Sequence, residues 1–257
     1  MLYLFYVKFF KGGQALEYKN RRLRHELKFP ATAAQCEILR QRFQAVMKHD
    51  ANAGEDGIYR ITSLYLDDAY NSGYNDKLLG ADTRKKYRIR TYNLSPDRIH
   101  LECKYKDTDM VSKRGAWLTR EQYDAILQGD FTFTWDSRYS GSVIEDFGIS
   151  NSLARLTPSV IVDYNREAFV VPEGNVRFTI DSGFKVGTFS TDMFSPDTRY
   201  VAVTDVAAVI ELKYDDYLPS YLFDLVQGVN LTQQSVSKFV MCRDKLLTMN
   251  MINTTIR

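Results

Sequence analysis

The sequence has 257 residues, of which 44% are hydrophobic and 26% are charged, a composition typical of a globular protein and not of a disordered chain. Lys and Arg number 34 against 32 Asp and Glu, so the overall charge does not indicate nucleic acid or an anionic membrane as a partner. Any function that depends on positive charge must therefore come from a local cluster of basic residues.

An apolar segment, MLYLFYVKFF, begins the chain. It is too short to span a bilayer, it contains Lys8, and no small-residue cleavage site follows it. We therefore expect residues 1–19 to form a frayed or docked N-terminal segment, with a membrane contact as the less favoured alternative. Because no repeat, low-complexity tract or flexible linker follows, residues 20–257 are expected to form one domain.

A strand and a helix are the first elements that the remaining sequence predicts. In RHELKF, the charged residues Arg24, Glu26 and Lys28 stand at every second position. Leu27 and Phe29 stand at the alternate positions, and this two-residue period is typical of a strand with one apolar face. A helix follows, in which apolar residues recur at helical spacing: Cys36, Leu39, Phe43, Val46 and Met47.

Charge is concentrated on one face of each of the next three predicted strands. SLYLDD and IHLECKYK alternate apolar residues with polar or charged ones. The segment between them, TRKKYRIRTY, covers residues 83–92 and places cations at every second position: Arg84, Lys86, Arg88 and Arg90. One face of that strand is therefore a row of positive charges. Arg84 and the neighbouring Lys85 could each be either solvated at the start of the strand or involved in binding phosphate.

Three helices and two strands complete the predicted elements. Thr119 and Gln122 form the sequence signature of a capping box at the start of TREQYDAILQG. VRFTID and IELKYD repeat the alternation of apolar and charged residues. The last two helices are predicted in PSYLFDLVQ, from Pro219, and in SVSKFVMCRDKLLTM, from Ser235.

The charged strand faces have two interpretations. An antiparallel sheet with one face in water carries charge at little cost, and this explains any one strand taken alone. Taken together, the strands mix Arg, Lys and Glu with few neutral residues, which a solvated face does not require. A closed barrel whose charged faces line its lumen explains the whole set. Crowded cations in such a lumen repel one another, so it would need a polyanion to fill it.

Eight segments in order resemble the VTC (vacuolar transporter chaperone) domain of polyphosphate polymerases, within the triphosphate tunnel metalloenzyme superfamily. They are RHELKF, SLYLDD, RKKYRIRTY, LECKYK followed by Lys113, VDYNREAF, VRFTID, ELKYD and SKF. No single segment is specific, but their order from about Arg24 to Lys245 covers nearly the whole chain. The resemblance implies an α+β fold, an antiparallel β tunnel barrel of about eight strands with flanking helices.

The resemblance also implies roles for individual residues. Arg88 and Arg90 match a pair that holds nucleotide phosphates, and Lys104 matches a lysine of the tunnel. Arg166 and Arg177 match arginines on the opposing wall. These five residues are expected to act in catalysis, and the guanidinium of each of the four arginines suits the task because it holds two phosphate oxygens in one plane.

Further lysines and three carboxylates complete the implied site. The lysines expected to bind substrate phosphate are Lys28, Lys113, Lys213 and Lys238. Glu211 matches the carboxylate that holds a divalent metal, Mn²⁺ or Mg²⁺, and Glu26 and Glu102 are the next candidates. Asp181 is expected to hold one of the arginines in place.

The activity implied is that of an ATP:polyphosphate phosphotransferase, which moves the γ-phosphoryl group of ATP to a growing polyphosphate chain and releases ADP. ATP and inorganic polyphosphate are the expected partners, and nucleic acid is not, because exposed aromatics beside the basic residues are not evident. Cys36, Cys103 and Cys242 are far apart and lack CxxC pairing, which favours the cytoplasm. A position at the inner face of a membrane and a membrane-protein partner are compatible with the resemblance but are not encoded in the chain.

Two alternatives stand beside the polymerase. Metal-dependent inorganic or nucleoside triphosphatases of the same superfamily typically carry ExExK in the first strand, whereas here Arg24 stands in the first position before Glu26 and Lys28. The arginine weakens the hydrolase interpretation, because it makes the lumen more cationic. A non-catalytic polyphosphate-binding module is the second alternative, and the retained arginines and Glu211 count against it.

Overall fold

The computed structural model of the chain describes residues 25–107, 110–215 and 217–252. The predicted N-terminal segment 1–19 and Arg24 lie outside these residues. The described part forms one antiparallel sheet with helices packed around it, in agreement with the predicted α+β fold. No helix within the described residues has the length and hydropathy that a bilayer span requires.

The sheet is built from strands that carry the alternation seen in the sequence. In chain order they are β1 His25–Ala31, β2 Lys48–His49, β3 Ile58–Asp67, β4 Thr83–Tyr92, β5 Ile99–Asp107, β6 Met110–Leu118, β7 Thr157–Val171, β8 Val176–Thr188, β9 Arg199–Ala202 and β10 Ala208–Tyr214. Backbone hydrogen bonds join them in the order β1-β10-β8-β7-β3-β4-β5-β6, while β2 pairs with β7 and β9 with β8. Neighbouring strands are antiparallel, so the charged residues of successive strands stand side by side.

The sheet curls into a tunnel without closing through backbone pairing, which corrects the expectation of a closed barrel. β1 and β6 are the two ends of the hydrogen-bonded order. The outer edge of β1 is already used, because the carbonyl of Lys28 accepts a hydrogen bond of 2.9 Å from the backbone N–H of Gln234. Side chains join the two ends instead: Nζ of Lys104 on β5 lies 2.8 Å from Oε1 of Glu26 on β1.

The helices found in the described residues are α1 Ala33–Val46, α2 Ser72–Leu78, α3 Arg120–Leu127, α4 Val143–Ala154, α5 Ser220–Val226 and α6 Lys238–Thr248. The four predicted helices are confirmed as α1, α3, α5 and α6, and the capping box of Thr119 and Gln122 is present before α3. The predicted apolar face of α1 is wrong at Val46, which is 50% exposed. Met47 is the C-cap residue and is buried with Cys36, Leu39 and Phe43, as predicted.

Two helices were not predicted, for different reasons. α2 has only seven residues, and its N–H groups are not capped by the preceding Asn71 (φ 56°) but by Asp67, which accepts hydrogen bonds from Gly73 at 2.8 Å and Tyr74 at 3.1 Å, so the cap is not at the expected position. α4 does carry a signal, since the Ser142 hydroxyl accepts a hydrogen bond from the Ile144 N–H at 3.1 Å and the Glu145 carboxylate accepts one from the Gly141 N–H at 2.7 Å. This Ser-x-x-Glu spacing is the signature that could have identified α4.

Apolar residues on the outside of the sheet pack under the helices, as the alternation predicts. Phe43 of α1 lies 4.5 Å from Phe178 of β8, measured between ring centroids. Phe147 of α4 packs in the same way against Tyr87 of β4, at 5.0 Å. The charged faces of β4 and β8 are therefore turned inward, away from these helices.

Part of the inner face is apolar and lies under α6. Val160 and Val162 of β7 are buried in one cluster with Phe239 and Cys242 of α6. The near-continuous apolar run in this part of β7 reflects burial of both of its faces. Because α6 fills this side of the concave face, Lys238, its first residue, is buried at the tunnel.

Candidate active site

The concave face encloses a cavity of about 790 Å³. It is lined by the five predicted catalytic residues, by the four predicted phosphate-binding lysines and by Glu26 and Glu211. Glu102 is the only predicted site residue among the described ones that does not line it, and it is 1% exposed. The inward faces of the strands thus bring together nearly all the residues that the resemblance indicated.

Glu102 holds three cations on one wall of the cavity. The Nε and Nη2 atoms of Arg88 both lie 2.7 Å from Glu102 Oε2, and Lys113 Nζ lies 2.7 Å from Oε1. Arg90 is farther away, at 3.8 Å from Oε2. Burial alone would raise the pKa of Glu102, but Arg88 and Arg90 outweigh it and hold the pKa well below its usual range. Glu102 is therefore an ionised anchor behind the cavity.

The strand register explains this arrangement. Arg88 of β4 stands opposite Glu102 of β5, which in turn stands opposite Gly115 of β6. A Cβ atom at Gly115 would lie 2.3 Å from Cε1 of His100, so only glycine leaves room for that ring. His100 Nδ1 lies 3.4 Å from Glu102 Oε1 and adds a further contact to the anchor.

A second charged group joins β1 and β10. The register places Lys28 opposite Glu211 and Glu26 opposite Lys213. Lys28 Nζ lies 3.2 Å from Glu26 Oε1 and 3.6 Å from Glu211 Oε1, and Lys213 Nζ lies 3.1 Å from Glu211 Oε2. The two carboxylates therefore share two ammonium groups.

Both carboxylates of this group remain ionised. Burial would raise the pKa of Glu211, but Lys213 and Lys238 lower it well below its usual range. The pKa of Glu26 is lowered in the same way, against burial, first by Lys213 and then by Lys28. Lys104 contacts Glu26 as well, yet burial, with repulsion from Lys28 and Lys213, lowers its own pKa to about 8.

A third group lies where β7, β8 and α6 meet. Arg166 donates two hydrogen bonds of 2.6 Å, one to each carboxylate oxygen of Asp181. Lys238 Nζ lies 2.7 Å from Asp181 and 2.8 Å from Glu211. The prediction that Asp181 holds an arginine is confirmed, and Lys238 links this group to the carboxylates of β1 and β10.

Tyrosines and one aspartate complete the site and were missed from the sequence. The hydroxyl of Tyr65 accepts a hydrogen bond of 2.9 Å from Arg88, and that of Tyr59 accepts one of 2.8 Å from Arg177. Arg177 is also ion-paired with the buried Asp50. Tyr65 stands on the charged face of SLYLDD, so the alternation contained a signal for it, whereas Asp50 lies outside the predicted strands.

The residues present fit a divalent metal at Glu26 and Glu211. Among the described residues, no group of three or more His, Cys, Asp or Glu has the arrangement of a complete metal site. Mg²⁺ is usually bound by one or two carboxylates together with substrate phosphates. Two ionised carboxylates on the tunnel wall are therefore enough protein ligands for this metal. Glu102 lies on another wall, does not line the cavity and is 1% exposed, so it is not placed to bind the same metal.

Comparison with solved structures finds proteins that match over most of the chain at low sequence identity. A candidate adenylate cyclase from Bacillus halodurans is 10% identical over 84% of this chain and 95% of that chain, with a TM-score of 0.50. A Hippeastrum protein, described as a candidate adenylyl cyclase with a dominant triphosphatase activity, is 13% identical over 87% and 95%, with a TM-score of 0.49. The PH1819 protein of Pyrococcus horikoshii OT3 is 14% identical over 88% and 99%, with a TM-score of 0.46.

The structural comparisons show the fold, whereas the family is shown by a match to a family model. The likeness to the Bacillus halodurans protein concerns the fold alone, and curated proteins give no significant match. The model of the VTC domain, however, matches residues 23–247, which span every strand from β1 to β10 and nearly all of α6. The chain therefore belongs to the VTC domain family.

Proposed function

We propose that this protein is a metal-dependent polyphosphate polymerase that transfers the γ-phosphoryl group of ATP to inorganic polyphosphate and releases ADP. The observation that carries the proposal is the convergence, in one cavity, of arginines from facing walls with the ionised carboxylates of Glu26 and Glu211. A triphosphate is the kind of ligand that satisfies so many inward cations. A divalent cation at the carboxylates would add the counter-charge that phosphoryl transfer requires.

The arginines are suited to phosphoryl transfer by their positions. Phosphoryl transfer passes through a loose, in-line transition state, so the protein contributes mainly positioning and electrostatic stabilisation. Arg88 and Arg90 stand on β4, and Arg166 and Arg177 stand on β7 and β8 across the tunnel. A triphosphate held between these walls presents its γ-phosphorus to a second phosphate chain that enters along the tunnel.

The bonds made and broken in this step need no protein nucleophile. An oxygen of the terminal phosphate of the acceptor chain forms a bond to the γ-phosphorus, and the bond from that phosphorus to the β,γ-bridging oxygen breaks. The electron pair leaves with ADP, and the acceptor chain gains one phosphate. Glu26 and Glu211 would hold a metal, Mn²⁺ or Mg²⁺, which would offset the negative charge of the reacting phosphates.

The state of the tunnel carboxylates favours transfer to phosphate over hydrolysis. A general base that activates water works best with a pKa near the operating pH. Glu26, Glu102, Asp181 and Glu211 all have pKa values lowered by neighbouring cations, despite burial. These four carboxylates are weak bases, whereas the terminal phosphate of an acceptor chain is already an anionic nucleophile.

The proposed partners are ATP and inorganic polyphosphate. We place the reaction in the cytoplasm, where ATP is abundant and thiols stay reduced. All three cysteines, Cys36, Cys103 and Cys242, are free and buried, in keeping with that compartment.

The product formed from ATP tests the proposal. Purified protein is incubated with ATP and either Mn²⁺ or Mg²⁺, polyphosphate is resolved on a gel, and ADP and free phosphate are quantified. A polymer ladder with stoichiometric ADP is expected. Free phosphate without polymer would identify a triphosphatase instead, and tight polyphosphate binding without turnover of ATP would identify a binding module.

A further inference from the structure

Two groups of cations in the tunnel differ in their partners. Every predicted catalytic arginine or phosphate-binding lysine contacts at least one carboxylate, as Arg166 contacts Asp181 and Lys104 contacts Glu26. A second group, which we call the basic mouth, consists of Lys77 on α2 and of Arg84 and Lys86 on β4. These three residues line the same cavity at the end of the tunnel where β4 begins.

The basic mouth lacks carboxylate partners among the side chains that the structure describes. Lys77 bonds to the hydroxyl of Ser235, and Arg84 Nη1 donates to the backbone carbonyl of Asp76 at 3.3 Å. The ammonium of Lys86 lies over the ring of Phe239, 4.4 Å from its centroid. Each contact is to a neutral group, so none of them cancels the positive charge.

Burial and mutual repulsion oppose these charges. Burial, followed by repulsion from Arg84, lowers the pKa of Lys77 to about 8, with Lys28 and Lys106 adding to the effect. Burial lowers the pKa of Lys86 to about 7 as well, against attraction by Asp67 and together with repulsion from Arg84, Lys77 and Lys104. Cations held together without counter-charge cost free energy that a bound anion would recover.

The row of cations on β4 is longer than the triphosphate of one nucleotide. From Arg84 to Arg90 the row advances six residues, which is roughly 20 Å of strand. A triphosphate held at Arg88 and Arg90 covers only part of that distance. The part nearest Lys86 and Arg84 therefore remains available to a longer chain of phosphates, and the polar segment around Ser235 borders it.

We propose that Lys77, Arg84 and Lys86 form a binding stretch for condensed phosphate beyond the triphosphate site, which holds polyphosphate chains longer than three phosphates without a metal. The inference rests on the proposed function and extends it. Phosphate oxygens would replace the missing carboxylates, whereas the metal belongs at Glu26 and Glu211. The growing polymer then lies along β4 towards α2 and leaves through the basic mouth.

Binding of two ligands to matched variants tests this inference. Calorimetric titration, without metal, compares tripolyphosphate with long-chain polyphosphate on the wild-type protein and on a Lys77→Gln, Lys86→Gln double variant. The wild type is expected to bind the long chain more tightly. The double variant is expected to lose about tenfold or more in affinity for the long chain, since charge-assisted bonds are lost, and to keep its affinity for tripolyphosphate.

Lys85→Gln is the matched control. Lys85 precedes Lys86 on β4 but faces outward, where its ammonium lies 2.9 Å from Ser150 of α4. This variant should bind both ligands as the wild type does. Thermal unfolding of every variant checks the fold, and the single Lys86→Gln variant repeats the comparison if the double variant is unfolded.

Three results would overturn the inference: equal affinity of the wild type for both ligands, an unchanged affinity of the double variant for the long chain, or equal losses for both ligands. The proposed function is judged separately, from polymer and ADP formed with ATP. If the double variant loses affinity for the long chain only, but the wild type makes no polymer from ATP, the basic mouth is supported and the polymerase is rejected. If the wild type makes polymer, but the double variant binds the long chain as the wild type does, the polymerase is supported and the basic mouth is rejected.

Discussion

Individual arginines are positioned by partners that lie behind them. Arg88 is held by Glu102 and Tyr65, and Arg166 is held by both oxygens of Asp181. A guanidinium that is already oriented loses less freedom when it binds phosphate, and its planar fork matches two phosphate oxygens. The buried carboxylates therefore act on the proposed reaction through the arginines they hold.

Arg177→Ala is expected to reduce polymer synthesis from ATP by at least about a hundredfold, the effect of removing one group that stabilises transition-state charge. Arg177 lines the cavity with 28% of its side chain exposed, and Asp50, which loses this ion pair, keeps two hydrogen bonds from Asn52, so the variant should still fold. Polyphosphate gels and thermal unfolding measure the two effects. Arg138→Ala, at a 74% exposed side chain, is the control. Full activity of Arg177→Ala would remove this residue from the site.

Glu211→Gln is expected to raise the metal concentration that gives half-maximal activity, by about tenfold or more. The amide keeps the shape of the side chain but loses the charge that binds a cation between Lys213 and Lys238. Titration of Mn²⁺ and Mg²⁺ in the polymerase assay measures the change. Glu37→Gln, on the exposed side of α1, is the control. An unchanged metal response would place the metal elsewhere on the tunnel wall, with Glu26 the next carboxylate to test.

At the scale of elements, α6 is fixed to the sheet by a buried arginine. Arg243 is 5% exposed, and it donates hydrogen bonds of 2.8 Å to Asn71 and 3.1 Å to Ser159. Its Nη1 also lies 3.5 Å from Asp67 of β3. Since Asn71 immediately precedes α2, Arg243 couples the helix that carries Lys238 to the helix that carries Lys77.

Arg243→Met is expected to lower the free energy of unfolding by about 3 kcal/mol, because Asp67 is left buried without its ion pair. Polymer synthesis should fall as well, through displacement of Lys238, although residue 243 does not line the cavity. Urea unfolding and the polymerase assay measure the two effects. Arg98→Met, at an exposed position, should change neither. Unchanged stability of Arg243→Met would show that α6 is held by its apolar face alone.

The strands and their inward faces could be predicted from the sequence, because alternation records which side of each strand is charged. Arg88, Lys104 and Glu211 illustrate this, since the side assigned to each from the sequence is the side that faces the cavity. The ion pairs could not be predicted in the same way, because the contact of Lys238 with Asp181 joins residues 57 positions apart, on β8 and α6. The occupied outer edge of β1 could not be predicted either, because its hydrogen-bond donor, Gln234, is distant in the sequence.

At the scale of the whole molecule, a near-neutral chain concentrates positive charge in one cavity. The formal net charge is +2, yet the tunnel gathers cations from β1, β4, β5, β6, β7, β8, β10, α2 and α6. Most of them are balanced by carboxylates within the tunnel, which keeps the ligand-free fold stable. The basic mouth is the part that is not balanced, so its ionisation should be visible in the stability of the entire protein.

Stability of the ligand-free protein is expected to rise with pH above about pH 7. The pKa of Lys86 is lowered from 10.5 to about 7 by burial and by its neighbouring cations. Between these two values the unfolded chain binds a proton that the folded chain does not, so the free energy of unfolding increases with pH. Lys77 and Lys104, whose pKa values are lowered to about 8, act in the same direction.

Thermal unfolding measured from about pH 7 to about pH 10 tests this expectation. Lys86→Gln should flatten the rise, because glutamine removes the titrating group, while Lys85→Gln should leave it unchanged. Long-chain polyphosphate should also flatten the rise in the wild type, since bound anions favour the protonated ammonium and restore its ordinary ionisation. A rise of equal size in the wild type and in Lys86→Gln would show that Lys86 keeps its proton in the folded protein, and that the basic mouth is not under charge repulsion.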